Sequence, residues 1–330
     1  MTNYLVYAFD YPKKYYTDFI YRYEKVLRLL EDKEIKNHYK IVKPNILKLK
    51  DFEIIHDIDY LYELEKMSKH DERIRENLIC DILGVSGTVY ACELALEENT
   101  ITYHLGGGFH HAFKDRFGAF DYLNDIAIAV EWLRRKHKIR KIMIIDLDVH
   151  HANGTQEIFY DDPGIFQISF HGWGIFPGTG NIDEIGVGEG TGYKINLPFL
   201  KGTSDETYLF AMDKIIPKYI DLYQPEFIVY QAGIDCMVKD PMGNLKLTLD
   251  GIYGRDKKIK DLCKGLPITI IRGGGYNDEY SPKANLNTLA CFSDISIIYK
   301  YGKRVSEPKR CKRWIKNKIK DLERLLGEYW

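Results

Sequence analysis

The sequence predicts an α/β domain with a mostly parallel central sheet and helices on both of its faces. Short, almost continuously apolar segments alternate with longer amphipathic ones, as expected where buried parallel strands are joined by helical crossovers. Four of the apolar segments end directly in polar or glycine-rich motifs, GGGFHH, DLDVHH, QAGID and RGGGYN. Because ligands of such sheets bind beyond the carboxyl ends of the strands, we expect these four loops to meet at one edge.

Apolar periodicity places the elements of the first half of the chain. Residues 4–9, YLVYAF, indicate a first strand, and apolar side chains between residues 19 and 30 recur at helical spacing. Residues 100–105, TITYHL, indicate a second strand that runs into three glycines. Further helices are predicted over residues 57–67, 74–83, 87–97 and 123–137. Asn124 or Asp125 is a suitable N-cap for the last of these helices.

The second half repeats the alternation of strand and helix. Strands are predicted over residues 142–147, 165–170, 227–230 and 267–271. Helices are predicted over residues 155–160, 205–219 and 249–263. Residues 303–330 form a basic stretch followed by an amphipathic helix. Such a segment could bind a nucleic acid or an acidic partner, but we expect it to pack on the domain with its charges in solvent. No linker or internal repeat interrupts this order, so residues 1–330 are predicted to form a single domain.

Composition narrows the functional classes. The chain has 330 residues and a formal net charge of −1, so no overall positive field would draw it to nucleic acid or to an anionic membrane. No apolar run approaches the roughly 18 residues that span a bilayer, and the N-terminus lacks a signal-peptide pattern. Six scattered cysteines without a CxxC pair indicate reduced thiols. We therefore expect a cytoplasmic protein whose partners are neither membranes nor nucleic acids, and its oligomeric state stays open.

A cluster of metal-ligand side chains follows the strand at residues 142–147. If the chain stayed extended, Asp146, Asp148 and His150 would point to one side, since side chains alternate faces along a strand. Burying these groups is costly without compensation, and a bound metal is the simplest compensation. Asp235, at the end of FIVYQAGID, is the natural third ligand beside Asp148 and His150, and this set leaves a position open for water. Zinc and iron(II) both fit it.

Two histidines and a tyrosine supply groups for acid–base chemistry. His110 and His111 follow the glycines of the GGGFHH motif. One imidazole can take a proton from water and later protonate a leaving amine, while the other stabilises charge. Tyr276, after RGGG, offers a hydroxyl donor to a developing oxyanion, an interaction worth about 3 kcal/mol.

Several motifs stand in the order and spacing of one enzyme family. They are GGGFHHA, FDYLND, IDLDVHHANGTQ, FPGTG, QAGID followed by DPMGNL, and RGGGYN. Over residues 51–297 the chain resembles the zinc-dependent histone deacetylases of the arginase and deacetylase superfamily. Around GGGFHHAFKDR and EENTITYHL it is most similar to the class IV branch and to prokaryotic histone-deacetylase-like amidohydrolases. The resemblance implies an eight-stranded-type, mostly parallel sheet with the active site at the carboxyl ends of its strands.

The resemblance also implies roles for individual residues. A zinc ion, or iron(II) as the alternative, would be held by Asp148, His150 and Asp235. His111 would act as general base and then as general acid, and Tyr276 would polarise the amide carbonyl.

Further positions follow from the same resemblance. Asp146 would orient His110 and share its carboxylate with a structural potassium ion. The residues implied for this monovalent cation site are Asp146, Asp148, Ser169 and Phe170. The residues implied for the acyl-lysine tunnel are Phe120, Phe176, Gly108 and Gly274.

Three departures from the family pattern bear on the site. Asn153 would orient His111 where other branches have Asp, and a neutral partner should leave His111 less basic. The His-Pro signature near the N-terminus of many members is replaced by YAFDYPKKYYTDF. An acidic rim residue that grips the substrate backbone in some members has no assignable counterpart. The last two departures leave the substrate open.

The expected activity is metal-dependent hydrolysis of the N-acyl amide of a lysine side chain, most simply N-acetyl, by metal-activated water. The partner would be an acylated lysine peptide or protein. The first alternative is a deacetylase of acetylpolyamines or other small acetylated amines. An arginase-like hydrolase with two manganese ions would need additional bridging carboxylates, and a catalytically silent acyl-lysine-binding scaffold would not need the full catalytic set.

Overall fold

Eight parallel strands form one sheet at the centre of the protein. The computed structural model describes residues 3–8, 17–31, 34–303 and 305–330. In chain order the strands are β1 (Asn3–Val6), β2 (Tyr39–Val42), β3 (Ile101–His104), β4 (Ile142–Asp146), β5 (Ile165–Gly172), β6 (Lys194–Phe199), β7 (Phe227–Gln231) and β8 (Ile268–Ile271). Their order across the sheet is β2-β1-β3-β8-β7-β4-β5-β6, and every paired neighbour is parallel. The predicted fold class is confirmed.

Helices cover both faces of the sheet. They are α1 (Thr17–Glu31), α2 (Ile58–His70), α3 (Glu72–Glu97), α4 (Asp125–His137), α5 (Asn153–Ile158), α6 (Asp205–Tyr223), α7 (Leu249–Leu262), α8 (Tyr280–Phe292) and α9 (Lys309–Leu326). Alternate residues of β4 enter two separate apolar clusters. Met143 and Ile145 pack with residues of α1 and α6–α9, whereas Ile142 and Ile144 pack with residues of α2, α3 and α4. This division explains why β4 is apolar throughout.

Two predicted helices are one continuous helix, α3. Gly84 and Gly87 lie near the join of the two predicted helices, where a Cβ atom would lie 2.4 Å from the Phe109 ring at Gly84 and 2.1 Å from the His104 imidazole at Gly87. These glycines therefore allow close packing inside the helix. By length and apolar composition α3 could cross a membrane, which the prediction from shorter segments missed, and 72% of its most apolar window is buried within this domain.

Two elements gave little signal in the sequence. β2 alternates poorly because its two central residues are exposed. α8 is almost wholly buried but carries polar residues on its packed face, including Asn285 and Thr288. Asn285 Oδ1 accepts from the Tyr103 hydroxyl at 2.5 Å, and the Thr288 hydroxyl donates to Asp256 at 2.6 Å. Because α8 packs partly through hydrogen bonds, its sequence lacks the apolar periodicity by which a buried helix is recognised. The first strand was predicted to reach residue 9, which lies outside the described residues, as does much of the N-terminal departure from the family pattern.

The C-terminal helix α9 packs on α6 and the edge strand β6. Its buried side chains are Cys311, Ile315, Ile319, Leu322 and Leu326. The Trp314 indole donates to the carbonyl of Pro198 at 2.8 Å. The six cysteines of the chain are buried free thiols.

Register brings the functional loops together. Asp146, at the end of β4, lies opposite Gln231 at the end of β7, and Gln231 lies opposite Ile271 at the end of β8. Ile271 in turn lies opposite His104 at the end of β3. The segments that follow these four strands therefore start at one edge of the sheet.

Candidate active site

Asp148, His150 and Asp235 form a buried cluster suited to a metal ion. One ligand atom from each lies within 4.8 Å of the others. His150 Nδ1 is 3.1 Å from Asp148 Oδ1 and 3.1 Å from Asp235 Oδ2. A hydrogen bond connects the loop after β4 to the loop after β7. The backbone N–H of Val149 in the first loop donates to Asp235 Oδ1 in the second at 2.8 Å.

The acids and the histidine after β4 are brought together by turns, and not by the alternation of side chains along a strand. The strand ends at Asp146. The N–H of Asp148 donates to Asp146 Oδ1 at 3.1 Å, and the N–H of His150 donates to Asp148 Oδ1 at 2.9 Å. Each carboxylate thus fixes the turn that follows it. The prediction that these side chains lie together holds, but the extended geometry from which it was argued is wrong.

The chemistry of the donor set fits a divalent cation. Asp235 Oδ2 is buried and accepts no hydrogen bond from any described residue. The backbone closes around both carboxylates, because a Cβ atom on Gly274 would lie 2.3 Å from Asp235 Oδ2 and 2.6 Å from Asp148 Oδ2. Two carboxylates and an imidazole at one buried point, with an oxygen left without a donor, match the ligands that catalytic zinc and iron(II) accept.

The negative charge of the cluster favours protons on its own side chains, as two pKa values show. Burial and the nearby Asp148 raise the pKa of Asp235 to about 7. Burial alone would lower the pKa of His150, but its close contacts with the carboxylates of Asp148 and Asp235 raise it to about 11. A metal ion needs neutral imidazole and ionised carboxylates, so it would compete with these protons and release them on binding.

His110 and His111 form a pair with contrasting partners. His110 Nδ1 lies 2.8 Å from Asp146 Oδ2, and His111 Nδ1 lies 2.7 Å from Asn153 Oδ1. Burial lowers the pKa of His110, but Asp146 outweighs it and the pKa rises to about 9. Burial and the charge of His110 together hold the pKa of His111 well below its ordinary 6.5. One imidazole is therefore cationic and the other neutral at pH 7.

Tyr276 is placed by the segment after β8. Its backbone N–H donates to Asp240 Oδ2 at 2.7 Å, which ties this segment to the loop after β7. Burial, and then the charges of Asp235 and Asp148, raise the pKa of the Tyr276 hydroxyl well above 10. The hydroxyl is therefore protonated at neutral pH and can donate a hydrogen bond.

The comparisons with known proteins agree with this geometry. The chain matches the histone deacetylase domain over residues 19–291. It belongs to the histone deacetylase family. It is 33% identical to a probable deacetylase of Archaeoglobus fulgidus over 312 residues, covering 88% of this chain and 86% of that protein. It is 31% identical to histone deacetylase 8 of Xenopus laevis, covering 78% of this chain and 82% of that protein. It is 36% identical to histone deacetylase RPD3 of Saccharomyces cerevisiae, covering 60% of this chain and 45% of that protein.

A cavity of about 300 Å³ in this histone deacetylase family member opens onto the His pair and the cluster. The two aromatic residues implied for the tunnel, Phe120 and Phe176, are 55% and 51% exposed and line this cavity. The Phe176 ring lies 4.9 Å from the His111 ring. The complete lining is Gly108, His110, His111, Ala119, Phe120, Asp121, Asp148, His150, Phe176, Met242, Gly274 and Tyr276. The structure thus places all four implied tunnel residues around the cavity.

Two acids that the sequence analysis did not assign hold the histidine loop. Asp125 accepts from the N–H of Gly108 at 3.0 Å and from that of Phe109 at 2.7 Å. Asp121 accepts from the N–H of His111 at 2.9 Å. Asn124 is the N-cap of α4 and accepts from Ala127. The motif FDYLND contains both acids, and the use of Asn124 as cap leaves Asp125 free for the glycine loop.

Two further polar residues also escaped assignment. Gln231 donates to Asp148 Oδ2 at 3.1 Å, and Asp240 accepts from Tyr276 as described. Both occur in motifs that the sequence analysis quoted, QAGID and DPMGNL. Their roles depend on which way a side chain turns in a loop, which spacing does not reveal.

The implied monovalent cation site stays a prediction for this family member. Asp146 and Ser169 lie opposite each other on β4 and β5. The Ser169 hydroxyl is 3.0 Å from His171 Nδ1, and the Phe170 ring packs 5.4 Å from that of Phe199.

Proposed function

We propose that this protein hydrolyses the N-acyl amide of lysine side chains, most simply N-acetyl, with a divalent metal held by Asp148, His150 and Asp235. The observation that supports this most strongly is that two members of the three-ligand cluster, Asp148 and His150, line one cavity together with a cationic histidine, a neutral histidine and a protonated tyrosine. Membership of the histone deacetylase family supports the same reaction. Zinc is the proposed metal and iron(II) the alternative.

The metal, when bound, would lower the pKa of a water molecule and polarise the acyl carbonyl. Asp148 and Asp235 would supply the negative charge that holds it, and His150 would bind as neutral imidazole. Among the described residues this is the one cluster of three such side chains with mutually close ligand atoms. It supports one ion per chain and gives no support to a two-manganese, arginase-like site.

His111 has the properties of the general base. Asn153 Oδ1 can only accept a hydrogen bond, so the hydrogen of neutral His111 lies on Nδ1 and its Nε2 carries a lone pair. That Nε2 faces His110 Nε2 at 3.1 Å beside the cavity. In this structure the lone pair accepts from the cationic His110, and where water takes that position His111 can accept its proton at Nε2 and return it to the leaving amine.

His110 and Tyr276 have the properties of electrostatic partners. His110 is cationic through Asp146 and places a positive charge beside the position where negative charge develops on the carbonyl oxygen. Tyr276 is protonated and can donate to that oxygen, an interaction worth about 3 kcal/mol.

The shape of the cavity supports a linear substrate. About 300 Å³ between two partly exposed phenyl rings suits an alkyl chain with a small acyl group at its end. A lysine side chain presents such an alkyl chain from a peptide backbone.

The proposal is tested with purified protein loaded with zinc or iron(II). Release of acyl groups is measured on lysine peptides carrying acyl chains of increasing length, and on acetylspermidine. We expect turnover of acyl-lysine peptides by the wild type and none by a His150→Ala variant purified in parallel, which controls for contaminating deacetylases. Faster turnover of acetylspermidine would favour the polyamine alternative. Peptide binding without acyl release from any substrate would overturn the enzymatic proposal.

A further inference from the structure

Lysine and arginine residues are concentrated in the C-terminal segment. Residues 300–330 contain eleven lysines and arginines and four acidic residues, whereas the whole chain has a net charge of −1. Within α9, the stretch from Lys309 to Lys320 has seven basic residues and no acid. The expectation that nucleic acid is not a partner rested on the whole-chain charge and on the packing expected for this helix. The whole-chain charge averages over this local concentration of positive charge.

The packing of α9 turns its basic residues to solvent. Its apolar side chains face α6 and β6, and basic side chains lie beside this contact. Lys309, Arg313, Lys316 and Lys320 are exposed at positions i, i+4, i+7 and i+11 and form one stripe, here called the α9 basic stripe. At 1.5 Å per residue this stripe is about 16 Å long.

The α9 basic stripe forms one wall of a groove of about 1510 Å³, with α6 and residues from 300–303 and 305–308 as the other walls. Lys214, Lys300 and Lys303 add three more exposed cations to its lining. None of the four stripe residues is ion-paired in the part of the chain that the structure describes. Lys312 is the basic lining residue that does pair, with Glu206.

Most acidic side chains in the groove accept hydrogen bonds from neighbouring parts of the fold. Asp205 accepts from the N–H and hydroxyl of Thr248 at 2.8 and 2.7 Å. Glu307 accepts from the N–H of Ser204 at 2.9 Å and from the Thr207 hydroxyl at 2.7 Å. Asp250 accepts from the N–H of Tyr301. Glu323 lines the far end and terminates the basic run. The cations therefore dominate the solvent-facing surface.

The composition of the groove favours nucleic acid over a protein partner. Protein interfaces have an apolar centre, whereas nucleic-acid interfaces are polar and strongly positive. Among the described residues, none of the large exposed apolar side chains belongs to the groove lining. Phe210, its aromatic residue, is only partly exposed and lies below Lys214 and Lys316, each 5.9 Å from the ring centre. No exposed ring is thus offered for stacking on unpaired bases, which single-strand binding uses.

We propose that the α9 basic stripe and residues 300–303 bind the phosphate backbone of double-stranded DNA without reading its sequence. The stripe spans about five phosphates of one strand at 3.4 Å of axial rise each. The Trp314 ring of α9 lies 6.1 Å from that of Trp173, and Trp173 is three residues before the cavity residue Phe176. A bound duplex would therefore lie beside the loop that forms the cavity wall. The DNA binding does not depend on the proposed function.

The test measures binding of the full-length protein to a fluorescently labelled duplex across a series of salt concentrations. The stripe variant combines Arg313→Gln, Lys316→Gln and Lys320→Gln, which remove the charge but keep an unbranched, polar side chain. The control variant combines Lys50→Gln, Lys66→Gln and Lys69→Gln, exposed lysines that lie outside the groove and give the same change in net charge. Thermal unfolding of both variants is expected to match that of the wild type, since all six side chains are exposed.

At 100 mM salt we expect the stripe variant to bind the duplex about tenfold or more weakly than the wild type. The steepness of its plot of log K against log salt should decrease by up to about 2.7. We expect the control variant to bind like the wild type. Equal binding by the stripe variant and the wild type, or equal weakening of both variants, would overturn the proposal. Tighter binding of single-stranded DNA would overturn the assignment to duplex, and tighter binding of polyglutamate would point to an acidic protein partner instead.

Discussion

The Nε2 atoms of His110 and His111 lie 3.1 Å apart, yet the two imidazoles differ in charge at neutral pH. The difference comes from what each Nδ1 contacts. The carboxylate of Asp146 favours the cation on His110, and the amide of Asn153 gives His111 a partner without charge. The cation on His110 then opposes a second proton on its neighbour. Neutral His111 is what a general base requires.

Replacing Asn153 by Asp should move the acidic limb of the pH profile of kcat/KM to higher pH. A carboxylate 2.7 Å from His111 Nδ1 raises the pKa of this imidazole by about 1 to 3 units. A base works only when it is unprotonated, so activity is lost as pH falls through that pKa. The wild type should therefore keep its activity at lower pH than the variant. Asn45→Asp, at an exposed site, is the control, and superimposable profiles for Asn153→Asp and the wild type would remove the role given to Asn153.

Replacing Tyr276 by Phe should lower kcat by about 10²- to 10³-fold and leave KM within a few-fold of the wild type. The change deletes the hydroxyl donor while the ring and the backbone bond to Asp240 stay in place. Tyr280→Phe, on the neighbouring helix α8, is the matched control and should retain wild-type rates. Wild-type kcat in the Tyr276→Phe variant would show that this hydroxyl does not stabilise the transition state.

Replacing Asp125 by Ala should destabilise the fold by about 2 to 5 kcal/mol. The change leaves the N–H groups of Gly108 and Phe109 without their acceptor beside the glycine loop. Asp125→Asn should cost less because its amide oxygen still accepts. The measurement is urea unfolding, and Asp59→Ala, at an exposed position, should change the free energy of unfolding by less than about 0.5 kcal/mol. A similarly small change for Asp125→Ala would contradict its role in holding the loop.

Lys194 should make stability depend on pH in a window above neutrality. Its buried ammonium group donates to the carbonyls of Ile165 at 2.7 Å and Asp162 at 3.2 Å, and burial lowers the pKa of Lys194 to about 7. Between about pH 7 and 10 the unfolded chain holds this proton and the folded chain does not. The free energy of unfolding should therefore rise with pH in the wild type relative to Lys194→Met, by as much as about 1.4 kcal/mol per pH unit. Parallel pH dependences of the two proteins in urea unfolding would show that the buried lysine stays charged.

The sheet and its functional edge could be predicted because burial on both faces forces nearly continuous apolar strands, as in β4. Elements that are stabilised by polar contacts could not be predicted in this way. Helix α8 is an example, because its residues Asn285 and Thr288 pack through hydrogen bonds. The continuity of α3 was missed for a related reason. Gly84 and Gly87 make room for Phe109 and His104, which lie far from the helix in sequence.

The candidate site shows the same division. The ligand-type residues were found because acids and histidines directly after apolar strands are costly to bury without a function. The residues that hold them in place, such as Asp125 and Asp240, act through backbone N–H groups of loops distant in sequence. Asn124 and Asp125 are both buried, and only the three-dimensional structure shows that Asn124 caps α4 while Asp125 holds the glycine loop.

The most direct test of the central claim is acetate release from an acetyl-lysine peptide as metal-free protein is titrated with zinc. We expect no turnover without metal, a rise to a plateau at one zinc ion per chain, and no comparable rise for Asp235→Asn. Turnover by the metal-free protein, or a plateau that needs two ions per chain, would contradict the assignment of Asp148, His150 and Asp235 as the site of a single catalytic metal.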